Sequence, residues 1–387
     1  MRMFAMNKAI FLFLFIALFG ESVRSQNINI SIFTNQNLQS FCFTVIEGKY
    51  EIIAEKKALL SINETDTLRI KRLSDKVEVI KNNNILGVFS SLLIRGINTD
   101  NVFAIMPTLP KLKTRVYDDD INIKSVSGEL QIINDVDFEK YVAASIESEG
   151  GYIAPLEYYK VQAILCRTYA IKNFQKHIAE GFNLCDKVHC QSYKGKSVKN
   201  PNIRKATELT KGLIIVDSNQ EAITATFFSN SGGQTMNSED NWNTKMPYLR
   251  SVKDTFSLGQ PNANWERKIL KSDWISYLSK RGYCIDSCED FRFRQQSRES
   301  TYTVGNFSIP LKKIRTDWTL KSTYFSIIPQ GDTLLLKGKG FGHGVGLSQE
   351  GAIRMAQLGY NYEKIIRFYY SNVKIKSTKS FRFFEVQ

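Results

Sequence analysis

Asp137-Phe138-Glu139-Lys140-Tyr141-Val142-Ala143-Ala144-Ser145-Ile146-Glu147-Ser148-Glu149-Gly150-Gly151 is where this chain changes from a strand-like to a helical hydrophobic period. Upstream, Phe41-Cys42-Phe43-Thr44-Val45-Ile46 and Tyr50-Glu51-Ile52-Ile53 are β-branched and aromatic around Glu47-Gly48-Lys49. Val77-Glu78-Val79-Ile80 and Ile85 to Leu93 flank a polar Asn82-Asn83-Asn84, which predicts a hairpin. Val116 to Ile133 supplies further strand material. Downstream, a helix is expected from Pro155 to about His177, with proline where a first-turn residue is welcome. Its Val161–Cys166 stretch is apolar on nearly every face and predicts a buried spine. Strands return at Gly212–Val216 and Ala222–Phe228, and short helices are expected near Gln349–Leu358 and Tyr362–Tyr370. The mixture reads as α+β. A smaller β-rich domain of unassigned role is expected over residues 26–115, and a larger domain over 116–387.

Composition bounds the function. The chain has 387 residues, 43% of them hydrophobic and 23% charged, which argues against disorder, collagen and a multi-span membrane protein. The net charge of +14 favours an anionic partner. Arg2 and Lys8 precede an apolar run from Ala9 to Gly20, and Val23-Arg24-Ser25 offers small residues at the cleavage positions before Gln26. This is the plan of a signal peptide over residues 1–25. The run would span only about 18 Å, short for a membrane helix. An exported protein, periplasmic or envelope-associated and peripheral to a membrane at most, is therefore expected. Export demotes nucleic acid and raises cell-wall polymers as partners.

Helix geometry singles out one carboxylate. At 100° per residue, Glu149 falls about 20° from Phe138, on the face shared with Val142 and Ile146; Glu147 falls about 180° away. Gly150-Gly151 would end the helix, placing Glu149 in its last turn. Burial and the negative helix end both favour the protonated carboxyl, the state a general acid needs near neutral pH. The alternative is a glutamate at a frayed helix end that points to solvent.

Several ordered blocks carry a resemblance. They are Tyr141–Glu149, Lys160-Val161-Gln162-Ala163, Cys166-Arg167-Thr168-Tyr169-Ala170, Ser229-Asn230-Ser231-Gly232-Gly233-Gln234-Thr235, Pro247–Val252, and Gly342-His343-Gly344-Val345-Gly346-Leu347-Ser348-Gln349-Glu350-Gly351-Ala352. Together they resemble the SpoIID/LytB family of peptidoglycan lytic transglycosylases and amidase enhancers, over about residues 125–375. The resemblance implies a peptidoglycan glycan strand as substrate, no cofactor for the chemistry, and Glu149 as the catalytic acid. Where the family often has Met-Pro after this glutamate, the chain has Gly150-Gly151. The same resemblance leaves a second class open: a non-catalytic glycan binder that stimulates a cell-wall amidase. A third reading is a wall-associated adaptor that uses the N-terminal β domain.

Other residues are candidates for substrate contact. Ser229, Asn230, Ser231, Gly232 and Gly233 follow an expected strand, and their hydroxyls, amide and close backbone suit sugar groups. Tyr152, Tyr169 and Trp242 could offer platforms for sugar rings, with packing as the competing role. His343 sits between glycines, where it could orient Glu149, meet a sugar hydroxyl, or be satisfied by backbone. Gln349 joins this set from the last block. Arg167 in a buried helix calls first for an acidic partner and second for substrate. His177, Cys185, His189 and Cys190 offer the two nitrogen and two sulfur donors of a closed, structural zinc site. A Cys185–Cys190 disulfide competes with it in an oxidising compartment. Cys284 and Cys288 could pair locally, whereas Cys42 and Cys166 read as buried free thiols.

Overall fold

The computed structural model describes residues 26–97, 100–150, 153–283 and 291–380. The expected signal segment, Gly151, Tyr152, Cys284 and Cys288 lie outside these residues. The fold is α+β. Two antiparallel-rich sheets form the N-terminal half. One runs, in spatial order, Leu184–Cys185, Asn27–Ile32, Glu129–Asp137, Asp120–Val126, Ser91–Gly96, Lys49–Ala54 and Lys57–Asn63; the other runs Arg115–Asp118, Val102–Leu109, Ser40–Glu47, Thr67–Leu73, Lys76–Lys81 and Asn84–Phe89. Alternating apolar residues bury one face of each strand, as in Phe41, Phe43 and Val45 or Tyr50 and Ile52. The sheets meet through aromatics: Phe43 stands edge-on to Tyr50 at 5.5 Å, and Phe103 edge-on to Tyr50 at 6.0 Å. The expected Asn82–Asn84 hairpin forms, with Asn82 and Asn83 both at positive φ.

Strand pairing in the β layer runs past residue 115. Strands Asp120–Val126 and Glu129–Asp137 pair with Ser91–Gly96 and Asn27–Ile32, so the β layer extends to Asp137. The sequence could not show which strands pair, because both stretches alternate equally well. Even Leu184 and Cys185, far along the chain, join the edge parallel to Ile30 and Ser31.

Helix α1 (Phe138–Gly150) leaves the last of these strands directly. Asp137 caps it, its Oδ1 accepting from the backbone amides of Glu139 and Lys140 at 2.9 Å each. Helix α2 (Leu156–Lys172) is the buried spine, with every residue from Val161 to Thr168 buried. It stops five residues short of His177 because the Asn173 side chain donates to the Tyr169 carbonyl at 2.9 Å and takes over the helix end. Helix α3 (Pro201–Leu209) packs beside both. The expected strand Ala222–Phe228 shrinks to Phe227–Phe228, paired parallel with Leu347–Ser348. Helices Gln349–Gln357 and Tyr362–Tyr369 close the main core, within a residue of expectation.

A second core has no counterpart in the sequence reading. Trp265, Trp274, Tyr302, Leu311, Ile314, Phe325, Ile327 and Leu336 cluster apart from the main core. They belong to a small α+β unit inserted between Asn264 and Lys339, with a three-stranded sheet, a hairpin and two helices. The insert rests on the main body through half-buried Arg298, which donates to the carbonyls of Gln234 at 2.5 Å and Ser231 at 2.7 Å.

Candidate active site

The last turn of α1 delivers Glu149 to a cleft of about 540 Å3. Its walls include Tyr169 from α2, His189, Cys190 and Gln191 from the following loop, Thr224 to Phe227, Trp242 and His343. Glu149 is the one carboxylate among the described residues that line it. The side chain is half-buried, and its Oε1 accepts from the Ser192 backbone amide at 2.6 Å. Gln349 Nε2 donates to the Glu149 carbonyl at 3.3 Å, satisfying one of the otherwise open carbonyls at the helix end. Gln349 thus reaches the backbone of Glu149.

Glu147 faces elsewhere. Its Oε2 accepts from Ser197 Oγ at 3.0 Å and from the amides of Val198 and Lys199 at 3.1 and 2.9 Å. The two glutamates, two residues apart, clamp different segments. One holds the cleft wall at Ser192 and the other the Ser197–Lys199 loop.

Aromatic surfaces flank the carboxylate. Trp242 and His343 sit with ring centroids 5.6 Å apart. Tyr169 OH donates to the His189 carbonyl at 3.1 Å, which fixes its ring against the wall. Both nitrogens of His343 are engaged: the Val345 amide donates to Nδ1 at 3.1 Å, so the proton sits on Nε2, which faces the Phe227 carbonyl at 3.1 Å. Burial, reinforced by Arg315, Arg298 and Lys312, pushes His343 down to about 4, so the ring is neutral at ordinary pH. It is a wall of the cleft held by backbone, and it makes no hydrogen bond to Glu149.

Several candidates for substrate contact lie away from the cleft lining. Asn230, Ser231 and Gly232 are buried, not offered to a ligand. Asn230 Nδ2 donates to Glu350 at 2.6 Å and to the Ser257 carbonyl at 2.9 Å, while Ser231 Oγ donates to Asp254 at 2.8 Å. A Cβ on Gly232 would meet Lys339 backbone at 2.6 Å, so this glycine serves chain-to-chain packing. Ser229 and Gly233 flank this network outside the cleft lining; the Ser229 carbonyl accepts from Glu350 N, and Gly233 N donates to Ser231 Oγ. Arg167 is fully buried and grips Glu139 with two parallel bonds, Nε to Oε1 at 2.9 Å and Nη2 to Oε2 at 2.6 Å, besides donating to the Leu213 carbonyl. It is a structural pair that ties α2 to α1. Gln349 holds backbone, as described above. Sequence reasoning missed Gln191, Thr224, Thr226 and Phe227 as cleft residues. Only the strand assignment before Ser229 hinted at the last three.

The four metal candidates do converge. Ligand atoms of His177, Cys185, His189 and Cys190 all lie within 4.8 Å of one another, and both cysteines are free thiols, not a disulfide. Cys185 Sγ lies 3.4 Å from His189 Nδ1, and Cys190 Sγ lies 3.4 Å from His177 Nε2. Zinc bonds of about 2.3 Å to sulfur and 2.0–2.1 Å to nitrogen place tetrahedral S···N pairs about 3.6 Å apart, so the donor set fits zinc closely. His177 Nδ1 meets Glu180 Oε1 at 2.5 Å, leaving Nε2 free to ligate in the usual carboxylate–histidine arrangement. The Cys185 thiol donates to Cys190 and, with His177, holds the Cys190 thiolate down at about 5; the Cys185 thiol moves the opposite way. Asp186 fastens this loop to the β layer, accepting from the amides of Phe33 and Thr34 and from Arg115.

Comparison with known proteins shows a family likeness in sequence. Residues 126–216 match the family model described as the stage II sporulation protein, SpoIID. The chain is 28% identical over 270 residues to the stage II sporulation protein D of Bacillus subtilis, covering 65% of this chain and 78% of that protein. It is 29% identical over 265 residues to the Bacillus amyloliquefaciens protein of the same name, covering 64% and 77%. It is also 28% identical over 277 residues to the amidase enhancer of Bacillus subtilis, covering 57% of this chain but 38% of that longer protein. Residues 126–216 thus carry the SpoIID likeness, and these similarities support a cell-wall-related role. No described helix is long and apolar enough to cross a membrane.

Proposed function

We propose that the protein is an exported lytic transglycosylase that cleaves the bond between N-acetylmuramic acid and N-acetylglucosamine in peptidoglycan strands. The observation that carries this reading is Glu149, a lone carboxylate in an aromatic-walled cleft, held by the Ser192 amide. A glycosidase that admits water ordinarily needs a second carboxylate. A non-hydrolytic cleavage does not. Protonated Glu149 would give its proton to the glycosidic oxygen as that bond breaks. The resulting carboxylate would take the proton of the muramoyl 6-hydroxyl as its oxygen bonds to C1, closing a 1,6-anhydro ring. The acid is restored and no water is consumed. Ser192 N–H orients the carboxylate, Gln349 fixes the turn that carries it, and Trp242 and Tyr169 offer surfaces for sugar rings.

His177, Cys185, His189 and Cys190 would hold zinc, with Glu180 orienting His177. Four protein ligands leave no open position, so the metal would supply a rigid cross-link and no chemistry on the substrate. That cross-link would steady the loop leading to Ser192. Digestion of purified glycan strands, with product analysis by mass spectrometry, tests the reading: 1,6-anhydromuramic ends are expected, and reducing muramic ends or intact strands would overturn it. The likeness to an amidase enhancer motivates a second reading, in which the cleft binds glycan and a separate amidase does the cutting. Intact strands together with stimulation of an added amidase would establish it.

A further inference from the structure

The inserted unit turns a basic sheet face outward. Strands Asn264–Leu270, Thr333–Lys339 and Phe325–Gln330 pair antiparallel, with Glu266 opposite Lys337 and Lys337 opposite Ser326. Phe293 extends the edge, exchanging backbone bonds with Ile327 at 3.1 and 2.8 Å. Trp265, Ile327, Leu334 and Leu336 point into the second core. Alternation therefore sends Glu266, Lys268, Lys337, Lys339, Arg292 and Arg294 to the opposite face, and all six are exposed. A groove of about 610 Å3 crosses it, lined by Arg292, Arg294, Lys337 and Lys339 against a single carboxylate, Glu266. That carboxylate stands 3.3 Å from Lys337, both side chains open to water, so it offsets little of the charge.

Strand geometry spaces these cations regularly. Residues two apart on one strand lie about 6.6 Å apart, and positions two strands over about 9.6 Å apart. Both separations are comparable with the screening length in physiological salt, so the cations repel one another and concentrate negative counter-charge. A free chain gains nothing from that repulsion. A linear polyanion laid along the groove reverses its sign. Exposed Ile328 and half-buried Ser326 beside Arg294 add apolar and hydroxyl contacts of the kind a polyol backbone would use.

We propose that this face binds a linear polyol-phosphate polymer of the cell envelope, separately from the cleft at Glu149. The choice of an envelope polymer over other phosphodiesters rests on the cell-wall reading above; the binding itself requires no step at Glu149. The test measures affinity of the purified chain for labelled poly(glycerol phosphate), for duplex DNA of matched charge and for a neutral chitin oligosaccharide, across a salt series. Arg294→Gln/Lys337→Gln is expected to weaken poly(glycerol phosphate) binding at least tenfold, to lower the slope of log affinity against log salt by about two, and to leave melting temperature and glycan-strand cleavage unchanged. Lys56→Gln/Lys57→Gln removes the same charge where the turn after Lys49–Ala54 enters strand Lys57–Asn63, and is expected to change none of these. Equal losses from both variants would mean that net charge, not this face, carries binding. Tighter binding to DNA would assign the face to nucleic acid, and unaltered affinity in the Arg294/Lys337 variant would overturn the proposal.

Discussion

The backbone amide of Ser192 donates to the Glu149 carboxylate at 2.6 Å, two residues beyond Cys190 in the candidate metal cluster. The bond joins two parts of the chain that the sequence keeps 43 residues apart. It places the loop from Cys185 to Ser192 in control of where the carboxylate points. The loop is anchored at its start as well, where Asp186 binds the β layer through Phe33, Thr34 and Arg115. Glu149 is thus positioned from the side of the N-terminal half.

Glu149→Gln is expected to leave folding intact and to abolish 1,6-anhydromuramic product, a loss on the order of 10²–10⁴ in rate. Glu147→Gln is expected to retain most activity but to lower the melting temperature, since its carboxylate serves three donors on Ser197, Val198 and Lys199. Mass spectrometry of digests and thermal unfolding separate the two effects. Equal loss of product from both variants would remove Glu149 from its assigned role.

Purified protein is expected to contain one zinc per chain. Strong chelation is expected to lower the melting temperature, and restoring zinc to recover stability and activity together. Because both thiols must be deprotonated to ligate, metal content is expected to fall in mild acid. Metal-free protein with a Cys185–Cys190 disulfide, seen as a two-proton mass gain on reduction, would show that the four residues serve another purpose.

Arg167→Met is expected to destabilise by about 3–5 kcal/mol, because it strands the Glu139 carboxylate at a buried interface. Exchanging both partners, Arg167→Met with Glu139→Gln, is expected to recover part of that loss. Denaturant unfolding of the two single variants and the double variant reads the coupling. Binding to glycan strands in the folded fraction is expected to be unchanged, since neither group lines the cleft.

His343 carries a signed pH dependence. Its folded value of about 4 lies below the unfolded value of 6.5, so the unfolded chain binds the extra proton between them. Its contribution is complete above about pH 6.5 and is lost as pH falls towards 4, on the order of 3 kcal/mol. Asp120, raised to about 6 chiefly by burial, acts in the opposite direction over part of that range. The difference in stability between the parent and His343→Gln, followed from pH 7 to 4, isolates the histidine; a flat difference would refute the assignment.

Local patterns were legible in the chain. Alternation in Phe41–Ile46 and Tyr50–Ile53 gave strands, and the period change at Asp137 gave α1. The continuous apolar run at Val161–Cys166 gave the spine, and Arg167 within it called for the acid that proved to be Glu139. The two short C-terminal helices were legible for the same reason: their apolar positions recur at helical spacing. Each of these is a property of neighbours in sequence, where side-chain periodicity and burial coincide.

Tertiary structure alone decided the rest. Strands up to Asp137 belong to the first β layer because pairing partners are chosen by register across the sheet, and many alternating strands are equivalent as sequence. Buried Asn230 and Ser231 read as ligand-facing turn residues until Glu350, Ser257 and Asp254 arrive from elsewhere in the chain to satisfy them. Residues 264–339 read as part of one C-terminal domain because aromatic content does not say which core an aromatic joins. Helix periodicity could place Glu149 on one face and Glu147 on the other. Only the closed fold could bring Ser192, Gln349, Trp242 and His343 around Glu149, since those groups come from segments whose proximity depends on long-range packing, not on spacing along the chain.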